Sequence, residues 1–154
     1  MTPEKVSDIL NQERKTKMKL PNELEQRVLA RLRELYAKAE AIYGRAFVFP
    51  SLDFKDMGRT AGRAYFLENK IRLSPTLLTD NVETFFSRTI PHEVAHLVSF
   101  KVFPHMSRYH GHEWARVMKE LGATDIKRTH SYDTSKVSRK RKVAQKIPAP
   151  YSVF

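Results

Sequence analysis

Cysteine is missing from this chain of 154 residues. Its absence excludes disulfides, thiolate metal sites and a cysteine nucleophile, and it suits a reducing compartment. Long hydrophobic runs are missing too: nothing approaches the roughly 18 apolar residues needed to cross a bilayer. The opening stretch "MTPEKVSDILNQERKTKMKL" is polar and holds no apolar segment of the kind a secretory signal requires. The expected location is therefore the cytoplasm, with no membrane partner. Internal repeats and low-complexity blocks are absent. Acidic residues run short, 17 against 28 Lys+Arg, which leaves a net charge of +11 and a pI near 10.0. That balance favours polyanionic partners, nucleic acid before an acidic membrane surface.

What is present is a globular composition, 41% apolar, of a length that makes one domain with a modest core. Residues 1–21 read as a basic arm or short helix, 22–135 as the folded domain, and 136–154 as a basic, proline-containing tail. In "NELEQRVLARLRELYAKAEAIYG", Leu24, Val28, Leu32, Leu35, Ala39 and Ile42 recur at helical spacing. Asn22 is the expected N-cap and Gly44 the expected stop. Arg27, Arg31, Arg33 and Lys38 fall on the opposite face, which is expected to be solvated.

The period then changes. Leu52 and Phe54 alternate with polar neighbours, and "RAYFL" and "KIRL" flank "EN" as two short strands about a turn. Gly58 and Gly62 bracket the loop before them. Ser74-Pro75 suits the first turn of a short helix. A small sheet of about three strands, antiparallel or mixed, is expected between helices, giving an α+β class. Helical spacing resumes through Val82, Phe85, Phe86, Ile90, Val94, Leu97, Val98 and Val102. Pro91 interrupts it, and a kink or a fresh start is expected there. A last helix carries Trp114, Val117, Met118 and Leu121 on one side, with Gly122 as its cap.

The chemistry sits in "PHEVAH". His92 and His96 are four apart, so a helix puts both imidazoles on one face, near enough to share a metal ion. Glu93 follows the first histidine and is placed to act on water rather than to bind metal. This is the H-E-x-x-H arrangement of zinc peptidases. Catalytic zinc uses three protein ligands and an open position. His105, His110, His112, His130, Glu113 and Glu120 are all candidates for the third. The metzincin spacing is excluded, because the position it requires is Val102.

The string "PHEVAHLVSFKVF…HGHEWARVMKELG" resembles the SprT family of zinc metalloproteases, in which H-E-x-x-H is followed by a loop and then H-G-x-x-W or H-G-x-x-F. The flanking "AGRAYFLENKIRLSPTLL" and "KRTHSYD" add to the likeness, which spans about residues 20–151. The resemblance implies a zincin-like fold with the metal helix packed on a small sheet. It implies one zinc ion per chain held by His92, His96 and His110, with Glu93 as the catalytic base. His112 falls on the family's variable position. A helix starting near Gly111 would turn His110 inward and His112 away, with Gly111 allowing a sharp bend between them. His130 is a candidate neighbour of the metal ligands or an oxyanion donor.

The activity the resemblance implies is peptide hydrolysis, with protein substrates bound or crosslinked to DNA expected in the manner of Spartan. The alternative is a nucleic-acid-binding module with a structural or inactive zinc site. Bacterial members commonly carry a cysteine-based zinc ribbon, which a chain without cysteine lacks. Contact with DNA would then fall to Lys136, Arg139, Lys140, Arg141 and Lys142. Nothing in the sequence indicates an oligomeric state.

Overall fold

The computed structural model describes residues 20–105, 108–124, 126–137 and 151–153. Helix α1 spans Asn22–Tyr43 and is the longest element among them. Its buried stripe is Val28, Leu32, Leu35, Tyr36 and Ala39, and Leu24 packs at its margin. Burying one such leucine is worth about 1.5–3 kcal/mol relative to leaving it in water. Ile42, expected on the same stripe, is exposed because the helix runs past the edge of the core there. The start differs from expectation by one residue. Pro21 takes the N-cap position without a side-chain cap, and Asn22 is already helical. The end is as expected: Gly44 adopts a left-handed conformation (φ 62°) and returns its N–H to the Glu40 carbonyl.

Strands β1 (Ser51–Phe54), β2 (Gly62–Tyr65), β3 (Lys70–Leu73) and β4 (Tyr151–Val153) form one mixed sheet in the order β1-β3-β2-β4. β1 and β3 are parallel, whereas β2 pairs antiparallel with both β3 and β4. The sheet thus has four strands rather than about three. The additional one lies within the segment read as a tail, where Tyr151–Val153 pairs with Arg63–Tyr65. Three residues carry too little periodicity to announce a strand. Across β1 and β3, Arg72 makes a two-pronged ion pair with Asp53 at 2.8 and 3.0 Å, which holds the Asp53 carboxyl below its ordinary range.

Short helix α2 (Pro75–Asp80) is capped by Ser74, whose Oγ accepts the Leu77 N–H. The Asp56 carboxylate reinforces that turn by accepting from Ser74 Oγ, Thr76 N and Thr76 Oγ1. Then α3 (Val82–Thr84), a π-helical segment (Phe85–Thr89) and α4 (Ile90–Val102) run on without a break. Pro91 explains the wide turn. The Ile90 N–H bonds to the Phe85 carbonyl, five residues back, and Pro91 has no N–H to offer the next carbonyl in that pattern. Arg31 of α1 supplies the missing donor, its Nε reaching the Phe86 carbonyl at 2.9 Å. This arginine, expected on a solvated face, therefore ties α1 to the base of α4. The final helix, α5 (His112–Glu120), lies against α4 and buries Trp114, Val117 and Met118.

Candidate metal centre

Helix α4 carries the first half of the centre. Its first ten residues, Ile90 through Ser99, are all buried, polar ones included. His92 and His96 are fully enclosed, and so is Glu93 between them. The second half arrives from the turn before α5. Gly111 is the N-cap of that helix, so His110 lies just outside it while His112 occupies its first turn. The result is a triangle of ring nitrogens. His92 Nε2 lies 3.1 Å from both His96 Nε2 and His110 Nε2, and the last two are 3.0 Å apart.

An sp² ring nitrogen has one in-plane direction for a proton or a lone pair, so none of the three can bond well to both neighbours. Burial holds His92 and His96 well below the ordinary imidazole value, helped by the neighbouring rings. Burial and the nearby Arg128 charge lower His110 to about 4. Three neutral imidazoles therefore face one point. Tetrahedral zinc with bonds of about 2.0–2.1 Å would space its ligand nitrogens by roughly 3.3 Å. The donor set fits a divalent metal, and among the described residues it is the group of histidines and carboxylates brought together in this way.

Trp114 holds the two halves together. Its indole N–H donates to the His92 carbonyl at 3.3 Å. Its ring stacks on His96 and meets His92 and His110 edge-on, with centroids 4.7–5.6 Å away. On the other side Phe66, at the end of β2, meets the His96 ring at 6.1 Å and packs against Phe100 and Tyr109.

Glu93 points at none of these protein groups. Both carboxylate oxygens are buried with no hydrogen-bond partner among the described residues. Burial pushes its pKa well above the usual carboxylate range, partly opposed by the Arg63 charge. Space for it comes from Gly62 in β2: a Cβ there would come within 3.1 Å of both Glu93 Cγ and Oε2. Nothing in the sequence signals this role, since a glycine beside a loop reads as punctuation.

The remaining candidates are not brought to the metal. His112 projects into solvent, its side chain 93% exposed, 3.5 Å from Glu113. Glu120 accepts from Tyr43 and Arg116, and His105 lies on the exposed loop after α4. His130 uses both ring nitrogens on backbone: Nε2 donates to the Arg59 carbonyl at 2.7 Å and Nδ1 accepts from Tyr132 N. The reason expected for Gly111 needs correcting. Its φ of −82° is open to any residue, and a side chain there would meet close packing instead, with Arg108 Cβ and Glu113 Oε1 both 3.3 Å from where a Cβ would sit. Lys136 lies beside Asp80, at 3.2 Å. Arg139, Lys140, Arg141 and Lys142 lie outside the described residues.

Comparison with known proteins agrees with this centre. The SprT-like family model matches residues 32–137. Protein SprT of Shewanella oneidensis is 38% identical over 117 residues, covering 76% of this chain and 74% of the relative. Protein SprT of Shigella boydii is 38% identical and that of Escherichia coli 37% identical, each over 121 residues, 79% of this chain and 73% of the relative. No solved structure matches the chain. The matched span contains His92, Glu93, His96, His110 and Trp114, and the chain belongs to the SprT-like family.

Proposed function

We propose that this protein is a zinc-dependent metallopeptidase. The observation that carries the reading is Glu93, a carboxyl enclosed in the core with neither oxygen partnered among the described residues, adjoining three convergent imidazoles. A structural metal site would have no use for such a group, and leaving it unpaired in the core costs stability. Zinc suits an all-imidazole donor set, and when bound it supplies Lewis acidity toward a carbonyl oxygen and toward water. His92, His96 and His110 would hold it. Glu93 takes a proton from the attacking water and delivers it to the leaving amine nitrogen. Burial raises the Glu93 pKa, which makes its carboxylate a stronger acceptor for the water's proton. Trp114 and Phe66 keep the ligand rings in place and solvent away from them.

Protein associated with DNA is the substrate class we favour, on the strength of the net charge of +11. No helix among the described residues is long and apolar enough to cross a membrane. The test is digestion of an unstructured protein by the zinc-loaded chain, with and without DNA, beside Glu93→Gln. Cleavage by the parent and none by the variant supports the reading; equal cleavage by both removes Glu93 as the base. DNA affinity should fall steeply with salt, and replacing Arg139, Lys140, Arg141 and Lys142 with Gln should reduce both affinity and salt slope. Affinity indifferent to salt and to those residues would leave a peptidase without a DNA role.

A further inference from the structure

The reaction outlined above makes no use of the segment that follows α5. A groove of about 570 Å³ opens there, lined by His110, Ile126, Lys127, Arg128 and Thr129. Its wall thus starts at one of the three convergent histidines and continues onto two adjacent cations. The segment is fixed in place. Buried Arg88, in the π-helical turn before α4, donates to the Thr129 carbonyl. His130 is bonded to Arg59, and the Tyr132 hydroxyl to Thr89 Oγ1 at 2.6 Å. Tyr132 also stacks on buried Phe85 at 5.2 Å. The tethers to Arg88, Thr89 and Phe85 lead to the same run of helix that carries His92 and His96, and the one to Arg59 leads to the loop before β2. Arg128 lines the same groove as His110.

Among the described residues no acidic side chain lines the groove, and Ile126 supplies an apolar surface beside the charges. Its volume lies within the range of pockets for small ligands. That is room for part of one peptide chain, whereas a nucleic-acid track needs cations spread along many phosphates.

We propose that this groove is a specificity subsite for an acidic residue of the substrate, next to the scissile bond, with Arg128 as the principal recognising charge. The carboxylate lies against Arg128, and its methylene stem rests on Ile126. Arginine suits the task because its planar fork can bind a carboxylate through two N–H groups. The proposal rests on the peptidase reading, and its tests are chosen to fail separately from it.

The zinc-loaded full chain is given a mixed peptide library, and the cleavage products are sequenced by mass spectrometry. Asp and Glu should be enriched at one position flanking the cut by about tenfold over Asn and Gln. Arg128→Glu should lose that enrichment and turn it toward Lys and Arg, while Arg128→Lys keeps part of it. In parallel, zinc-loaded Glu93→Gln should bind a fluorescent Glu-containing peptide about tenfold more tightly than its Gln counterpart, and adding Arg128→Glu should abolish the difference. Cleavage with the same residue profile in parent and Arg128→Glu overturns the subsite and leaves the peptidase reading intact. Arg128-dependent binding of acidic peptides without cleavage of any peptide supports the subsite and removes the peptidase reading. Loss of DNA affinity in Arg128→Glu with unchanged discrimination between the peptides assigns the groove to phosphate instead, and also overturns the proposal.

Discussion

Helices α1 and α4 pack against each other and are built on opposite plans. α1 buries one stripe and leaves the rest of its surface to Arg27, Glu34 and other polar groups in water. α4 is enclosed on every side through its first ten residues, and three of those are ionisable. An amphipathic helix can be read from its periodicity, because the stripe is where the protein is. A helix buried all round has no telling face, so periodicity says little about which side matters. There the informative residues are the ones a buried helix should not contain. α1 spends its buried positions on stability, whereas α4 gives up stability at His92, Glu93 and His96 for a pre-arranged centre.

Five substitutions and one change of condition would break or sharpen that contrast. The largest effect is expected for Glu93→Gln, which should lower peptidase activity by about 10²–10⁴-fold while zinc content stays at one per chain. Its stability should not fall, since Gln removes a buried ionisable carboxyl rather than a packed apolar group; thermal unfolding of the zinc-free forms checks this. Next, His110→Ala should weaken zinc binding by more than the roughly 10–100-fold typical of losing a group that merely supports a ligand. His112→Ala should bind zinc like the parent. Zinc titration with circular dichroism as a folding control decides between them, and the reverse pattern would overturn the ligand assignment.

On α1 the expectation is different in kind. Leu32→Ala should cost about 2–5 kcal/mol of folding stability through the cavity it leaves. Whatever fraction remains folded should still take up zinc in a one-to-one ratio. Gly62→Ala bridges the two plans, because it is a packing change that strikes Glu93. With a Cβ 3.1 Å from Cγ and Oε2, it should cost about 1–3 kcal/mol and lower kcat more than it changes zinc affinity.

The mildest probe is pH. In the zinc-free protein His92, His96 and His110 all have folded pKa values below the ordinary 6.5. The unfolded chain therefore gains protons first, and stability present above pH 6.5 is lost as pH falls, for His110 down to about 4. Glu93 acts in the other direction. Its folded value is raised above 4.5, so stability is lost as pH rises from 4.5 through that value. Zinc-free Glu93→Gln should accordingly lose less stability between acid and neutral pH than the parent. Denaturant midpoints across that range measure both limbs.

Much of this was legible before any coordinates. The α1 stripe, the Gly44 stop, the Ser74-Pro75 helix start and the apolar side of α5 each follow from a local rule, and each is found. His92, Glu93 and His96 follow from spacing on a single helix. His110 needed the resemblance, because ring geometry across a turn is not written in spacing alone. The rest depended on contacts between distant segments. Gly62 reaches Glu93 across thirty-one positions of sequence, Arg31 reaches Phe86 across fifty-five, and β4 joins the sheet from a stretch that reads as tail. Only the fold brings such pairs together, and each residue alone has an ordinary explanation.

Trp114 is the chain's sole tryptophan. Its indole touches the rings of His92, His96 and His110 at once. The protein therefore contains one indole fluorophore, which can be excited selectively over its tyrosines and is already in place against every proposed metal ligand. Charge placed on those imidazoles, whether by a proton or by a divalent cation, alters the field at the indole and should alter its emission. A titration could then be followed on the unlabelled chain, one signal reporting one site. Protonation and metal occupancy would be separated by repeating it with chelator across the same pH range.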